Sequence, residues 1–518
     1  MTFNIVSMLN PQVYNHPVQS IELIETHISW VVLTGQYAYK IKKPVNFGFL
    51  DFSTLQKRHT FCQQEVRLNR RLAAALYLDV VAIAGTQDKP VIAEQGEGFE
   101  YAVKMRQFPQ ASQLDHVLAA GDLHLKHMDA IARMVAEFHQ QIIIADPRSG
   151  YGNKESVYQP VEENFTQISE HIDNKQYDES LSQLKQWSQS EFTKQEPVFA
   201  QRKGDGFIRE CHGDMHLRNL LWLEGQPMAF DCIEFNPALR WIDVMSEVAF
   251  LVMDLQDRQQ PELANRFLNT YLEITGDYAG LTLLPYYLCY RALVRAKVDA
   301  LRLEQKNTST EENAQLRIEF NSYLKLATGY TQRPKRKLII MRGVSASGKT
   351  TVSQQLLDVL GAIRIRSDVE RKRLFNINLT SRISNEHHVN KIDAGLYSPQ
   401  ASQQTYNKLL ELSVEIIHAG YSVIVDAAFL KQQQRNPFRL LAESLNVQYI
   451  IIEILAPPEI LRQRIVERKG DVSDADLAVL EYQLANWQPL DEDEMSVAIP
   501  VDSNEALDFD DILDKINR

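Results

Sequence analysis

No stretch of this 518-residue chain approaches the roughly 20 consecutive apolar residues that cross a bilayer. The most apolar late run, 449–455, is interrupted by Glu453, which predicts a buried strand instead of a span. Residues 1–19 lack the basic start and apolar stretch of a secretory leader, so a cytoplasmic protein without a membrane partner is expected. Cysteine is scarce. Cys62, Cys211, Cys232 and Cys289 show no C-x-x-C spacing, which argues for reduced, mostly buried thiols and suggests no zinc site. Positive charge is in deficit, and a net charge of -12 argues against a general nucleic-acid coat. A small or uncharged substrate is the simpler expectation. No period of about 20–50 residues recurs, so a repeat architecture is not expected.

What is present is an ordinary globular composition, 44% apolar and 24% charged, over a length that suits two or three domains. The segment Thr331-Gln332-Arg333-Pro334-Lys335-Arg336-Lys337 is polar and carries a helix breaker between a long helical pattern and an abrupt strand. It divides the chain into 1–332 and 333–518. In the first part, 28–34 and 37–42 read as a hairpin about Gly35-Gln36, 54–76 as a helix, and 80–85, 91–95 and 101–107 as strands. Helical patterns follow at 123–140, 161–190, 243–257, 261–272 and 285–303, giving an α+β domain. In the second part, strands at 338–341, 362–366, 422–426 and 447–455 alternate with helices, the pattern of an α/β domain with a parallel sheet.

Two constellations carry phosphoryl-transfer chemistry. Gly343-Val344-Ser345-Ala346-Ser347-Gly348-Lys349-Thr350 is a complete G-x-x-x-x-G-K-T loop between a strand and a helix. Its glycines let successive backbone N–H groups face a phosphate, Lys349 bridges phosphates, and the Thr350 hydroxyl holds magnesium, with Thr351 next on the helix. Asp368 follows the second strand, where a carboxylate can orient an acceptor hydroxyl, and Arg371 three residues on can hold the acceptor or stabilise transferring charge. Asp426 ends a strand and is placed to hold magnesium through water. Arg462, Arg464 and Arg468 precede Gly470-Asp471-Val472-Ser473-Asp474-Ala475, a pattern for a mobile lid; an exposed helix face is the competing reading.

The other constellation is His212-Gly213-Asp214-Met215-His216-Leu217-Arg218-Asn219 followed by Phe230-Asp231. Asp214 can accept a hydrogen bond from an attacking hydroxyl, while Asn219 and Asp231 supply oxygen ligands to a magnesium ion. Asp214 as a turn residue and Asn219 as a helix cap are the plainer alternatives. Arg291 and Arg295 share a helix face, more readily solvated or ion-paired than binding an anionic substrate group.

The 212–231 residues resemble the aminoglycoside phosphotransferase family, kinase-like enzymes that phosphorylate hydroxyls of small molecules. The resemblance implies that the strand Tyr39-Lys40-Ile41-Lys42 carries the nucleotide-contacting lysine, with Lys40 preferred over Lys42, and that Glu65 pairs with it. It further implies an adenine-reading hinge at 105–108 and a loop-bracing role for Asp243, which by chemistry alone is equally a helix N-terminal charge. His139 resembles a common family position but reads better as a packed histidine. One departure stands out: no G-x-G-x-x-G loop precedes the lysine strand. Residues from 336 to about 490 resemble the small P-loop kinases that include gluconate kinase, zeta toxins, chloramphenicol phosphotransferase and the kinase domain of polynucleotide kinase. That resemblance makes Asp368 the acceptor-activating carboxylate and Arg464 and Arg468 the lid arginines.

Asn390-Lys391-Ile392-Asp393 has the letters of a guanine-reading motif without its strand context and is read as coincidence. His387-His388 lacks a third ligand and reads as a solvated loop. The combination resembles bacterial bifunctional phosphotransferase and ATP-binding proteins, and the resulting expectation is that each domain moves the γ-phosphate of ATP, with Mg2+, to a hydroxyl of a small molecule. A polynucleotide 5′-hydroxyl or a nucleotide sugar stays open as the C-terminal acceptor, so a nucleic-acid partner stays open there too. The rival from another class is a nucleotide-sensing regulator with one non-catalytic site, for which the missing glycine-rich loop makes the N-terminal domain the candidate. Oligomeric state is not legible in these residues.

Overall fold

Alternation along residues 29–42 sets the first sheet: Val32, Tyr39 and Ile41 are buried on one side of a hairpin that turns at Gly35, whose φ of +93° suits glycine. The computed structural model describes residues 3–48, 50–172, 177–303, 309–377, 398–467, 477–505 and 507–518. The strands β1 (Glu22–Glu25), β2 (Ser29–Leu33), β3 (Tyr37–Lys42), β4 (Tyr77–Thr86), β5 (Lys89–Ala93) and β6 (Glu100–Arg106) form one antiparallel sheet in the order β1-β2-β3-β6-β4-β5. Strand β1 is absent from the sequence reading. Helix Leu55–Ala73 starts at Thr54, whose hydroxyl accepts from the Lys57 N–H, and packs Cys62, Val66 and Ala73 with Tyr77 and Val103 of the sheet.

Helices Leu125–Gln141, Lys154–His171, Asp178–Gly204 and Val244–Asp257, with residues of Leu284–Leu303 and Thr310–Tyr330, make the helical part. The single helix expected at 161–190 is two helices. Four short strands follow the order β7 (Ile208–Glu210), β8 (Leu220–Leu223), β9 (Gln226–Ala229) and β10 (Trp241–Asp243); β7 pairs with β10 and β8 with β9, antiparallel. The loops they anchor carry His212 to Asn219 and Asp231.

The second sheet is parallel throughout, with β11 (Lys337–Arg342), β12 (Ile363–Arg366), β13 (Val423–Asp426), β14 (Gln448–Leu455) and β15 (Ala498–Asp502) in the order β12-β13-β11-β14-β15. Register pairs Asp426 with Met341 on one side and with Arg366 on the other, so three strands end level. Ligand groups of an open parallel sheet belong at that end. Ile339, Met341, Leu356, Ile424, Ile452 and Ile516 are among the buried core side chains, each worth roughly 1.5–3 kcal/mol in transfer from water.

By contact the chain divides into 1–257 with 290–324, and 258–289 with 325–518. These units differ from the expected 1–332 and 333–518. The reason is local: on helix Pro261–Thr275, Asn269 and Glu273 bond directly to β12. The Asn269 side chain donates to Ala362 O at 3.1 Å and accepts from Arg364 N at 2.8 Å, occupying the backbone groups of the sheet's edge.

Candidate active sites

In the first unit, β3 aims Lys40 and Lys42 at one side, as residues two apart on a strand must be. Glu65 meets both, Oε1 at 2.8 Å from Lys40 Nζ and Oε2 at 2.6 Å from Lys42 Nζ. The lysines then part. Lys42 is buried between Glu65 and Glu234, whereas Lys40 continues to Asp231 Oδ1 at 2.5 Å, toward a carboxylate that is nearly half exposed. Burial pushes the Glu65 carboxyl up, but the two ammonium groups outweigh it and hold it down at about 2; Glu234 is pushed up by burial despite Lys42. Glu234 was not foreseen from sequence.

Asp214 sits in a loop fixed at many points. Gly213 has φ +89°, and a Cβ there would lie 2.7 Å from Leu239 O, so only glycine fits. Its N–H donates to Glu247 Oε1 at 2.6 Å, its carbonyl accepts from Arg291 Nη1 at 3.1 Å, and the Leu217 N–H donates to Asp254 Oδ2 at 2.8 Å. His212 Nε2 lies 2.9 Å from Phe230 O and, as the donor, leaves Nδ1 facing the Asp214 N–H at 3.4 Å; burial lowers its pKa and favours this neutral ring. Asp214 Oδ2 accepts from Asn219 Nδ2 at 2.8 Å and faces His216 Nε2 at 3.4 Å. Burial raises the Asp214 pKa, but His216 and Arg295 outweigh it and bring it well below the ordinary carboxylate range. The acid is therefore ionised at neutral pH. Asn219 donates through its amide nitrogen, which leaves the amide oxygen, with the Asp231 carboxylate, as the hard donors a magnesium ion takes.

Two readings of this region change. Asp243 caps helix Val244–Asp257 through Met245 N at 2.9 Å and pairs with Arg202 at 2.7 Å; Glu247, one turn on, braces the loop instead. Arg291 is buried against the loop and Arg295 lies 3.5 Å from Tyr323 OH, so neither forms a solvated face. His139 is packed, as read, with Nε2 at 2.8 Å from Glu247 Oε2. His139, Cys211 and Glu247 come together in burial, yet Glu247 is already engaged by Gly213 and burial holds the Cys211 thiol protonated, the arrangement of a brace. The turn between β1 and β2 is closed on itself by Thr26 and Ser29, with Ser29 N donating to Thr26 Oγ1 at 2.9 Å, and carries no glycine. At the expected hinge, the Gln107 N–H is spent on Gln36 O at 3.1 Å and Phe108 stands edge-on to Phe230.

In the second unit the phosphate loop follows β11. A Cβ on Gly343 would lie 2.8 Å from Ile454 O, and Ala346 and Gly348 take left-handed φ values of 62° and 97°, while the Ser347 N–H closes a turn on Val344 O at 3.2 Å. Gly348 starts helix Lys349–Leu360, so Lys349 and Thr350 occupy an anion-favouring helix N-terminus. A cavity of about 710 Å³ is lined by Ser345, Lys349, Thr350, Thr351, Asp368, Arg371, Asp426 and Arg464. Asp368 and Arg371 share a face of helix Ser367–Leu374, 3.4 Å apart. Asp426 Oδ2 accepts from Ser353 Oγ at 3.0 Å, and the Asp426 carboxylate and Thr350 hydroxyl in one cavity suit a hydrated magnesium ion. Arg464, on helix Pro458–Glu467, donates to Ser503 O at 2.7 Å and Ser503 Oγ at 2.9 Å, which anchors it beside the loop; Arg462 pairs with Glu481 at the surface. Arg468, the 470–475 lid, His387-His388 and the 390–393 motif lie outside the described residues. The Ser345 N–H donates to Gln483 Oε1 at 2.6 Å, a contact no local motif announces.

Fold and sites together define a protein of two kinase-family domains. Residues 52–284 match the model of the phosphotransferase enzyme family and residues 338–490 match that of an AAA domain. The chain is 30% identical over 478 residues to the uncharacterized proteins Rv2004c of Mycobacterium tuberculosis and Mb2027c of Mycobacterium bovis, covering 91% of this chain and 92% of each relative, and it belongs to their family. Among solved structures, a sugar kinase from Janibacter sp. is similar over 36% of this chain and 95% of its own (22% identity, TM-score 0.27). A putative aminoglycoside phosphotransferase from Ralstonia eutropha is similar over 64% and 98% (12% identity, TM-score 0.38), and an amicoumacin kinase over 61% and 90% (14% identity, TM-score 0.39).

Proposed function

We propose that the chain is a bifunctional ATP-dependent phosphotransferase in which each domain transfers the γ-phosphate of ATP to a hydroxyl of a small molecule. The observation that carries this reading is the single cavity in which the phosphate loop, Asp368 and Asp426 meet. Its volume of about 710 Å³ is that of a small-molecule site. There Asp368 accepts the hydrogen bond of the acceptor hydroxyl and takes its proton as the oxygen bonds to the γ-phosphorus and the bond to the β,γ-bridging oxygen breaks. Lys349 and the loop N–H groups hold the phosphates, and Arg371 and Arg464 face the charge that passes to the leaving diphosphate. Thr350 and Asp426 would hold magnesium, which when bound offsets phosphate charge.

In the N-terminal domain Asp214 plays the part of Asp368, Lys40 holds phosphate with Glu65 behind it, Lys42 has a buried structural part, and Asn219 and Asp231 would hold magnesium. The direct bond that Asp214 Oδ2 accepts from Asn219 Nδ2, leaving the Asn219 amide oxygen for a metal, supports that assignment over a turn residue. The test is a screen of hydroxyl compounds and RNA 5′ ends with γ-labelled ATP, using the full chain and single-site variants of each domain. Label transfer to a small hydroxyl compound supports the reading; transfer only to RNA ends, or nucleotide binding without transfer to any acceptor, overturns it.

A further inference from the structure

Helix Pro261–Thr275 falls in sequence within the phosphotransferase match, yet by contact it belongs to the unit of the parallel sheet. Near its end Glu273 receives Arg364 Nη2 at 3.1 Å and Arg366 Nη1 at 3.0 Å. These arginines are two apart on β12, so they leave the strand on the same face, and both are buried. Burial pushes the Glu273 carboxyl up, but Arg364 and Arg366 outweigh it and hold it below its ordinary value. A carboxylate between two buried guanidiniums separates like charges that would otherwise face each other without compensation.

The contacts do not stop at the ion pairs. Arg364 Nη1 donates to Ser353 Oγ at 3.3 Å, which leaves the hydroxyl proton for Asp426 Oδ2 at 3.0 Å or Thr350 O at 3.2 Å. Ser353 stands one turn into the helix that begins at the phosphate loop, and Asp426 ends β13 in register with Arg366. Arg366 itself lines the cavity and is the residue from which helix Ser367–Leu374, with Asp368, departs.

We propose that Glu273 is a positioning residue of the P-loop site, orienting Asp426 through Arg364 and Ser353 and the start of the Asp368 helix through Arg366. This rests on the reading of that cavity as a magnesium-nucleotide site. The partners of a metal-ligating side chain tune its affinity for the metal, and their loss costs about tenfold or more.

The test uses the full chain and a fluorescent ATP analogue titrated at varied Mg2+, scoring only the binding that Lys349→Ala removes. Glu273→Gln should raise the Mg2+ concentration for half-maximal binding about tenfold, leave metal-free binding unchanged, and be partly rescued in Glu273→Asp. Ser353→Ala, which keeps both ion pairs, should produce the same shift, and it decides the matter if Glu273→Gln fails to fold. An unchanged Mg2+ requirement in a folded Glu273→Gln, or in Ser353→Ala, overturns the positioning role alone. If the unsubstituted chain has no binding that Lys349→Ala removes, the magnesium-nucleotide reading fails and takes the proposal with it.

Discussion

The Gly213 N–H donates to the Glu247 carboxylate at 2.6 Å, so the backbone immediately before Asp214 is fixed by a side chain from the helix Val244–Asp257. Truncation by Glu247→Ala leaves that buried N–H and His139 Nε2 without their acceptor. Removing one partner of a buried charged contact costs on the order of 3 kcal/mol, so the melting temperature of the N-terminal part should fall by several degrees. Differential scanning calorimetry checks this, and an unchanged melting profile would refute the bracing role.

Asp214→Asn should keep nucleotide binding in the N-terminal domain but slow its phosphate transfer about a hundredfold or more, the usual contribution of a general base that also orients its substrate. Steady-state turnover beside direct nucleotide titration separates the two effects. An unaltered rate would return Asp214 to the status of a loop residue.

In the P-loop domain, Lys349→Ala and Asp368→Ala should fail in different ways. The first should abolish transfer through lost phosphate contacts, while N-terminal turnover persists. The second should remove acceptor-dependent transfer yet leave ATP affinity nearly unchanged, because phosphate cradling and acceptor positioning fall to different side chains. Loss of nucleotide binding in a folded Asp368→Ala protein would contradict this division.

Asp299 is fully buried and, among the described residues, neither carboxylate oxygen has a hydrogen-bond partner; burial raises its pKa to about 6, with Arg295, Arg302 and Arg218 pulling against that rise and Glu319 adding to it. A carboxyl whose folded pKa exceeds its unfolded value binds its proton more tightly in the native state. Stability should therefore fall as pH rises from about 4 to about 6 and stay level above that. Asp299→Leu should then stabilise the protein at pH 7.5 by ~1–3 kcal/mol, with the gain vanishing near pH 4. Denaturant melts at the two pH values read the difference, and a gain that did not depend on pH would rule out the titration.

Much of this was legible in the sequence because it is local. The phosphate loop, the 212–219 run and Asp368 three residues before Arg371 need only backbone geometry and spacing, and the parallel sheet follows from apolar runs alternating with helices. The supporting carboxylates were not legible. Glu247 acts on Gly213 across 34 residues, Glu273 on Arg364 across 91 and Glu234 on Lys42 across 192, and each sits in a stretch whose own pattern says only helix or loop. Asp243 shows the same limit in reverse: an aspartate at a helix start suits a cap and a brace equally, and only its closeness to Arg202 and Met245 N decides for the cap.

The amide of Asn269 bonds to the outer edge of β12 much as a further strand would. An exposed strand edge is a template on which other chains can add by main-chain pairing. By taking the Arg364 N–H and the Ala362 carbonyl for itself, a single side chain occupies part of that template, and a polypeptide cut to begin at Lys337 would carry the same sheet with those groups of its outermost strand open to its own copies.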